Sequence, residues 1–400
     1  MSEYKCIPLG DNVEEMFIGP FGSSLKNECF VDEDESYCMV YEQKHAIQKT
    51  MDVETRYVNE QKYNELKRFN VRGGDIIVSC RGTIGETFIV PDDAPFGIMH
   101  PSIMKIRLKE GVYDRYYFNL LLKSRLKKHE AEANGSGIKM AISATELGKE
   151  LFPVPTMEEQ LEITDIISRI SSVIEKRKQE LSALDDLIKA RFVEMFGDPV
   201  SNPYGWNIVT FDYCLNSIEN GKSFVCDSVA RKDEKPAILK LSAATYGVYK
   251  PEENKAIINE EDFVESAEVH DGDLLFTRKN TPELVGMAAY VESTPNKLMM
   301  PDLIFRLNTK ANCNKIFLWK LINHDLYRSQ IESAASGSAK SMSNISKERL
   351  GKLRIPLPPL ELQEQFADFV HQVDKSKVAV QKALGETQVL FDSLMQQYFG

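Results

Sequence analysis

The stretch ITDIISRISSVIEKRKQELSALDDLIKARFVEM, Ile163 to Met195, decides the fold. Within it Ile163, Ile167, Ile170, Ile174, Arg177, Leu181, Leu184, Ile188, Arg191 and Met195 follow alternating steps of four and three, and eight of the ten are apolar. A shift of 203 residues lands on Phe366, Val370, Val373, Lys377, Val380, Leu384, Thr387, Phe391, Leu394 and Tyr398, again eight of ten apolar. An apolar period of 3.5 residues keeps one narrow stripe facing a partner helix, as in a coiled-coil seam. Two stripes of equal length predict a pair of antiparallel spacer helices, each rising about 48 Å from first to last seam position. The bland alternative is two unrelated amphipathic helices on globular cores; a register kept over 203 residues argues against it. Gly385 is a weak point in the second stripe, costing about 1 kcal/mol against Ala, and a place where that helix could bend.

Outward from the stripes, the chain reads as two halves. Val71-Arg-Gly-Gly-Asp-Ile-Ile-Val-Ser79 matches Val269-His-Asp-Gly-Asp-Leu-Leu-Phe-Thr277, each a Gly-Asp turn followed by a short buried strand. Pro101-Ser-Ile-Met-Lys-Ile-Arg-Leu108 matches Pro301-Asp-Leu-Ile-Phe-Arg-Leu307 with one residue deleted. Helices are expected over 116–128 and 316–330, and Gly135-Ser136 and Gly337-Ser338 read as flexible loops. Pro153-Val-Pro155 and Pro356-Leu-Pro-Pro359 stop each half before its long helix, where proline fixes the entering backbone without wasting a donor. Thr156 and Glu159 suit a capping box, and Phe196-Gly-Asp-Pro199 ends the first long helix. The expected organisation is domain 1–155, helix 156–198, domain 199–358, helix 359–400. The fold class is α+β: two similar α/β domains and two long antiparallel coiled-coil helices, related by an internal pseudo-two-fold. The helices are expected to hold the domains apart, as a reader of two half-sites on duplex DNA requires.

Composition narrows the function. The net charge of −11 argues at first against a nucleic-acid partner. Residues 156–198 carry six Lys/Arg against ten Asp/Glu, and 359–400 carry three against six, so most of the acidity lies on the helices. The rest of the chain is free to present basic faces. No run of eighteen apolar residues occurs, and the N-terminus lacks a secretion signal, so no membrane partner is expected. Seven cysteines without a CxxC pair fit a reduced, cytoplasmic protein with no bound metal.

Taken together the motifs resemble the specificity subunit of Type I restriction-modification systems, over essentially all 400 residues. They are Gly19-Pro-Phe-Gly-Ser-Ser-Leu25, Gly74-Asp-Ile-Ile-Val-Ser79 with Gly82-Thr-Ile-Gly85, Phe196-Gly-Asp-Pro199 with Asn202-Pro-Tyr-Gly-Trp206, and Ile355-Pro-Leu-Pro-Pro-Leu-Glu-Leu-Gln-Glu-Gln365. The resemblance implies two target-recognition domains, each reading one half of a split double-stranded DNA sequence. It implies helices that fix the gap and dock two modification subunits, which bring S-adenosylmethionine and methylate adenine. Two restriction subunits, with ATP and Mg2+, can join that core; this chain would bind no cofactor and catalyse nothing. The second half departs from the pattern, with Thr281-Pro-Glu-Leu284 interrupting Gly-Thr-x-Gly and Asn220-Gly-Lys-Ser223 replacing the glycine-serine start. The target is therefore expected to be asymmetric.

The competing readings are a self-sufficient methyltransferase or nuclease and a scaffold that binds only proteins. Asn202-Pro203-Tyr204 has one proline where an adenine-methyltransferase motif has two, and no glycine-rich cofactor loop lies upstream. There is no P-loop and no HExxH, and no Glu-x-Lys follows Pro91-Asp92. The candidate DNA contacts start from arginine, which can bond guanine O6 and N7 together. Arg81 with Thr83, and Arg278 with Lys279 and Asn280, follow the paired strands. Lys123, Lys127 and Lys128, beside Arg125, crowd a helix end, and Lys139 and Lys340 follow the glycine-serine loops, placements suited to phosphate. A solvated loop or helix face is the alternative for each. Tyr113, Tyr116, Tyr117 and Phe118 read as core.

Overall fold

A computed structural model describes residues 4–81, 83–136, 143–336 and 342–400. By contacts the chain forms two units, Met1–Lys176 with Ala383–Gly400, and Arg177–Lys382, so each long helix is shared between them.

The first unit is built on a four-stranded antiparallel sheet in the order Val13–Ile18, Ile103–Leu108, Ile76–Ser79, Thr87–Ile89. A second sheet runs Arg56–Val58, Cys38–Tyr41, Gly97–Met99, Asn70–Val71, with Cys38–Tyr41 and Gly97–Met99 parallel. Strand Ile76–Ser79 is buried throughout and Ile103–Leu108 nearly so, which suits apolar runs rather than alternation. The helix Arg115–Ser136 packs Tyr117, Phe118, Leu121 and Leu122 onto Val78, Met104 and Ile106. Of the four aromatics expected in the core Tyr113, Tyr117 and Phe118 are buried, whereas Tyr116 is exposed. Gly135 and Ser136 are not a loop but the last two residues of this helix.

The second unit repeats the plan. Its main sheet is Leu215–Asn220, Ile304–Thr309, Leu274–Thr277, Ala288–Tyr290, and a three-stranded sheet joins Asn254–Ala256, Ala237–Leu239 and Leu298–Met299. Bulges fall at matching places, between Val13 and Glu15 and between Leu215 and Ser217. The helix expected over 316–330 is broken: Lys315–Asn323 ends at His324, whose backbone is extended, and Arg328–Ser333 follows a short 3-10 turn. The break is local capping, since the His324 ring accepts the amide of Leu326.

Each long helix is forty residues, Met157–Phe196 and Leu360–Phe399, and none of the twenty seam positions is exposed. In the first unit Ile163 and Ile167 pack with Phe391, Leu394 and Phe399. In the second, Phe192 meets Phe366 edge-on at 5.5 Å and Asp185 pairs with Lys377 at 2.5 Å. Higher numbers on one helix meet lower numbers on the other, so the pair is antiparallel. The capping box is present: Glu159 accepts the amide of Thr156 at 2.8 Å, and Thr156 Oγ1 that of Glu159 at 3.3 Å. At Phe196 the helix stops in Gly197, whose φ of +77° favours glycine.

A clamp not read from the sequence fixes each helix to its domain. Gln160, fully buried, accepts the amide of Asp114 at 2.8 Å and donates to the carbonyls of Val112 and Pro155 at 2.9 Å each. Gln363, 203 residues on, accepts from Asn314 and donates to the carbonyls of Asn312 and Pro358. Asp114 and Asn314 in turn cap the helices that follow them.

Candidate nucleic-acid interface

The Gly-Asp turns explain why the two halves share a strand end. Gly74 and Gly272 take positive φ values of 83° and 81°, as the turns require. The next residues, Asp75 and Asp273, accept the amides of Arg72 and His270 at 2.9 Å. Each carboxylate also pairs with an arginine of the central strand, Asp75 with Arg107 at 2.7 Å and Asp273 with Arg306 at 2.8 Å. That arginine reaches a glutamate of the first strand, Glu15 at 2.8 Å or Glu219 at 2.9 Å. Such a network, with its aspartate and arginine buried and its glutamate partly exposed, sets the register of three strands at once. In the first unit Lys105 joins it through Glu15 at 2.6 Å; burial pushes its ammonium pKa down, while Glu15 opposes that shift.

Beyond the turn each strand ends on a shared segment. In the first unit Gly19 donates to the Ile103 carbonyl and Cys80 to that of Ser102, so the residues after two strands flank His100–Ser102. In the second, Gly221 donates to the Ile304 carbonyl and Arg278 to that of Leu303. Both glycines are forced by close approach, because a Cβ would collide with the carbonyl of His100 in one unit and Pro301 in the other.

Arg81 and Thr83 are exposed on a loop closed at its base, where Gly85 donates to the Ser79 carbonyl and Ser79 to that of Glu86. Lys44 and Arg56, not read from the sequence, both pair with Glu42, Lys44 at 3.0 Å. Lys44, Arg56 and Arg81 all act on half-buried His100, whose pKa is lowered first by burial, with Glu42 opposing. Lys123 is half-buried; burial lowers its ammonium pKa and the charges of Lys49 and Lys127 add to that shift. Lys127 and Lys128 are exposed.

The second unit differs. Arg278 is half-buried, its guanidinium 5.0 Å from the centre of the Phe305 ring and hydrogen-bonded to Asn344 at 3.3 Å. Lys279 and Asn280 form a two-residue strand with Ser343–Asn344 rather than an open loop. Asn280 is buried, its amide held by Thr245 at 3.1 Å and its carbonyl oxygen accepting from Thr281, so direct contact with a base does not fit its placement. Arg328, absent from the expected set, holds the loop by donating to the carbonyls of Val285 and Gly286. Lys139 and Lys340, with Gly337-Ser338, lie outside the described residues.

Asn202-Pro203-Tyr204 is a turn between helix and strand. Asn202 sits at a φ of 48°, its side chain bonded on both sides to the backbone of Trp206, whose indole donates to the Phe196 carbonyl at 2.9 Å. Among the described residues no group of three His, Cys, Asp or Glu is placed to hold a metal ion, and no helix is long and apolar enough to cross a membrane.

Fold and strand-end loops together define an internally duplicated α/β protein carrying paired long helices. The chain belongs to the Type I restriction modification DNA specificity domain family, whose model matches it twice, at residues 22–184 and 217–387. It is 30% identical over 202 residues to the Type I restriction enzyme EcoEI specificity subunit of Escherichia coli, covering 49% of this chain and 34% of that protein. The chain therefore spans about a third of the length of that relative. A 22% identity over 348 residues relates it to the Type I restriction enzyme MjaVIII specificity subunit of Methanocaldococcus jannaschii, covering 79% of this chain and 78% of the relative. In fold it resembles the crystal structure of a Type-I restriction-modification system S subunit from M. genitalium, with a TM-score of 0.55 at 14% identity, covering 100% of this chain and 97% of that one. It also resembles a chain from work on complex assembly and conformational transition of the type I R-M system, with a TM-score of 0.58 at 16% identity, covering 100% and 98%.

Proposed function

We propose that this chain is the DNA-sequence specificity subunit of a Type I restriction-modification complex, and that it is not itself catalytic. Each unit reads one half of a bipartite, asymmetric target. The two long helices set the spacing of the halves and dock two modification subunits, with restriction subunits joining them. S-adenosylmethionine, ATP and Mg2+ belong to those partners. The observation that carries this reading is one scaffold bearing two different strand ends. The Asp–Arg–Glu network is the same in both units, while an exposed arginine marks one and a stacked arginine the other. A common frame with unlike reading residues suits recognition of two unlike half-sites.

The test is co-expression with the neighbouring modification subunit and mapping of genomic adenine methylation. The expected product is a split, asymmetric motif, formed by the complex and not by this chain alone. Arg81→Ala should relax or weaken one half of the motif only, by about 1–3 kcal/mol of discrimination. An unchanged motif and level in that variant would count against Arg81 as a reader. Methylation by the isolated chain would overturn the non-catalytic assignment.

A further inference from the structure

Cys214 and Cys313 are buried free thiols of the second unit, hydrogen-bonded to one another. The backbone also holds them together. The Cys214 carbonyl accepts the amide of Lys310 at 2.8 Å, and the Lys310 carbonyl accepts that of Cys313 at 3.1 Å. The first unit shows that side chains at these two places meet. Asn12 and Tyr113 stand there, immediately before the bulged first strand and immediately before the helix-capping Asp114. The Asn12 amide reaches the Tyr113 hydroxyl at 3.5 Å. The shared fold therefore needs contact at this point but not sulfur.

The pair sits where the second unit meets its long helix. Cys214 ends the turn Phe211–Cys214 and leads into strand Leu215–Asn220. Cys313 lies between Asn312, whose carbonyl accepts from Gln363, and Asn314, whose amide donates to it. An open cavity of about 420 Å³ reaches Cys313, with Lys310, Glu364 and His371 among its walls. The hydrogen bond from Cys313 lowers the Cys214 pKa, burial opposing and the Lys310 charge assisting. The same bond, with burial, raises that of Cys313. Cys214 is thus the nucleophile of the two.

We propose that Cys214 and Cys313 form an oxidation site, a thiol pair that hydrogen peroxide converts to a disulfide tying the second unit to its long helix. The Cys214 thiolate attacks one peroxide oxygen, the O–O bond breaks, and the departing hydroxide takes up the proton that Cys214 gave up, leaving as water. Cys313 then attacks the sulfenic sulfur, the S–O bond breaks, and its thiol proton leaves with that oxygen as a second water. The two thiols lose two electrons and the peroxide gains them. The new bond joins the entry of the first strand to the segment gripped by Gln363. It closes a loop of about 100 residues, which removes freedom from the unfolded chain. With Asn12 and Tyr113 at the same places, the first unit has no such response.

The experiment treats the full chain with hydrogen peroxide, alkylates the remaining thiols, and maps the digest by mass spectrometry without reduction. The expected product links the peptides of Cys214 and Cys313, and dithiothreitol reverses it. Oxidation should also raise the urea midpoint followed by Trp206 and Trp319, both in the second unit, by about 1–2 M. Cys214→Ser and Cys313→Ser should each lose the link and the shift, every variant being read against its own untreated midpoint. Cys6→Ser, which removes the exposed thiol, should keep both. No link at a peroxide dose that consumes Cys6, or either cysteine joined to a different partner, would overturn the assignment. A link that leaves the midpoint unchanged or lowers it would overturn the tie between unit and helix.

Discussion

Replacing Gln160 by leucine tests how the long helices are held. The side chain is fully buried and its three hydrogen bonds satisfy one amide and two carbonyls of the domain and the helix entry. Leucine has similar bulk and offers none of these bonds. Each buried backbone group left unpaired costs about 1–3 kcal/mol, and apolar burial of leucine offsets part of the total, so Gln160→Leu should lose roughly 3–5 kcal/mol. Against a domain stability of about 5–15 kcal/mol the unit stays folded in buffer, but its urea midpoint falls visibly. Gln363→Leu should cost a similar amount, since its three bonds are the same. Two probes separate the effects. Both tryptophans, Trp206 and Trp319, lie in the second unit, so their fluorescence follows that unit while far-UV circular dichroism follows the whole chain. Gln363→Leu should shift the fluorescence transition; Gln160→Leu should shift the dichroism transition. Unfolding free energies within about 1 kcal/mol of wild type for both variants would refute the claim that these bonds hold the helices.

Removal of the turn carboxylate should be as severe: Asp75→Asn leaves Arg107 buried with half its pairing and should cost about 3–5 kcal/mol, read as a lowered thermal midpoint. Gly385→Ala should stabilise the second long helix by about 0.5–1 kcal/mol, because Gly385 is exposed and its added Cβ would meet nothing; an unchanged or lowered midpoint would show that the helix needs glycine there. Burial lowers the pKa of His45 and of His324, so the unfolded chain takes up protons first as pH falls. Stability should therefore hold above about 6.5 and decline below it, by at most about 1.4 kcal/mol per pH unit for each histidine, and urea midpoints from pH 8 to 5 check this.

Periodicity and turn chemistry made the long helices, the duplication and the Gly-Asp strands legible in the sequence, because each is set by neighbours within a few residues. The seam residues from Ile163 to Tyr398 needed only a period of 3.5, and the helix ends needed only Thr156, Glu159 and Gly197. The reading surface was less legible. Arg278 aligns with Cys80 and Lys279 with Arg81, but the alignment does not show that Arg81 is exposed while Arg278 lies on Phe305 and Asn344. Asn280 looked like a loop residue and is buried because Thr245 meets it. Gln160 and Gln363 carry no local signal of burial in the sequence and are fully buried in the structure. In each case local sequence set the backbone conformation, while exposure depended on which distant segment packed against the side chain. Burial and partner choice are properties of non-local contact, so only the tertiary structure could decide them.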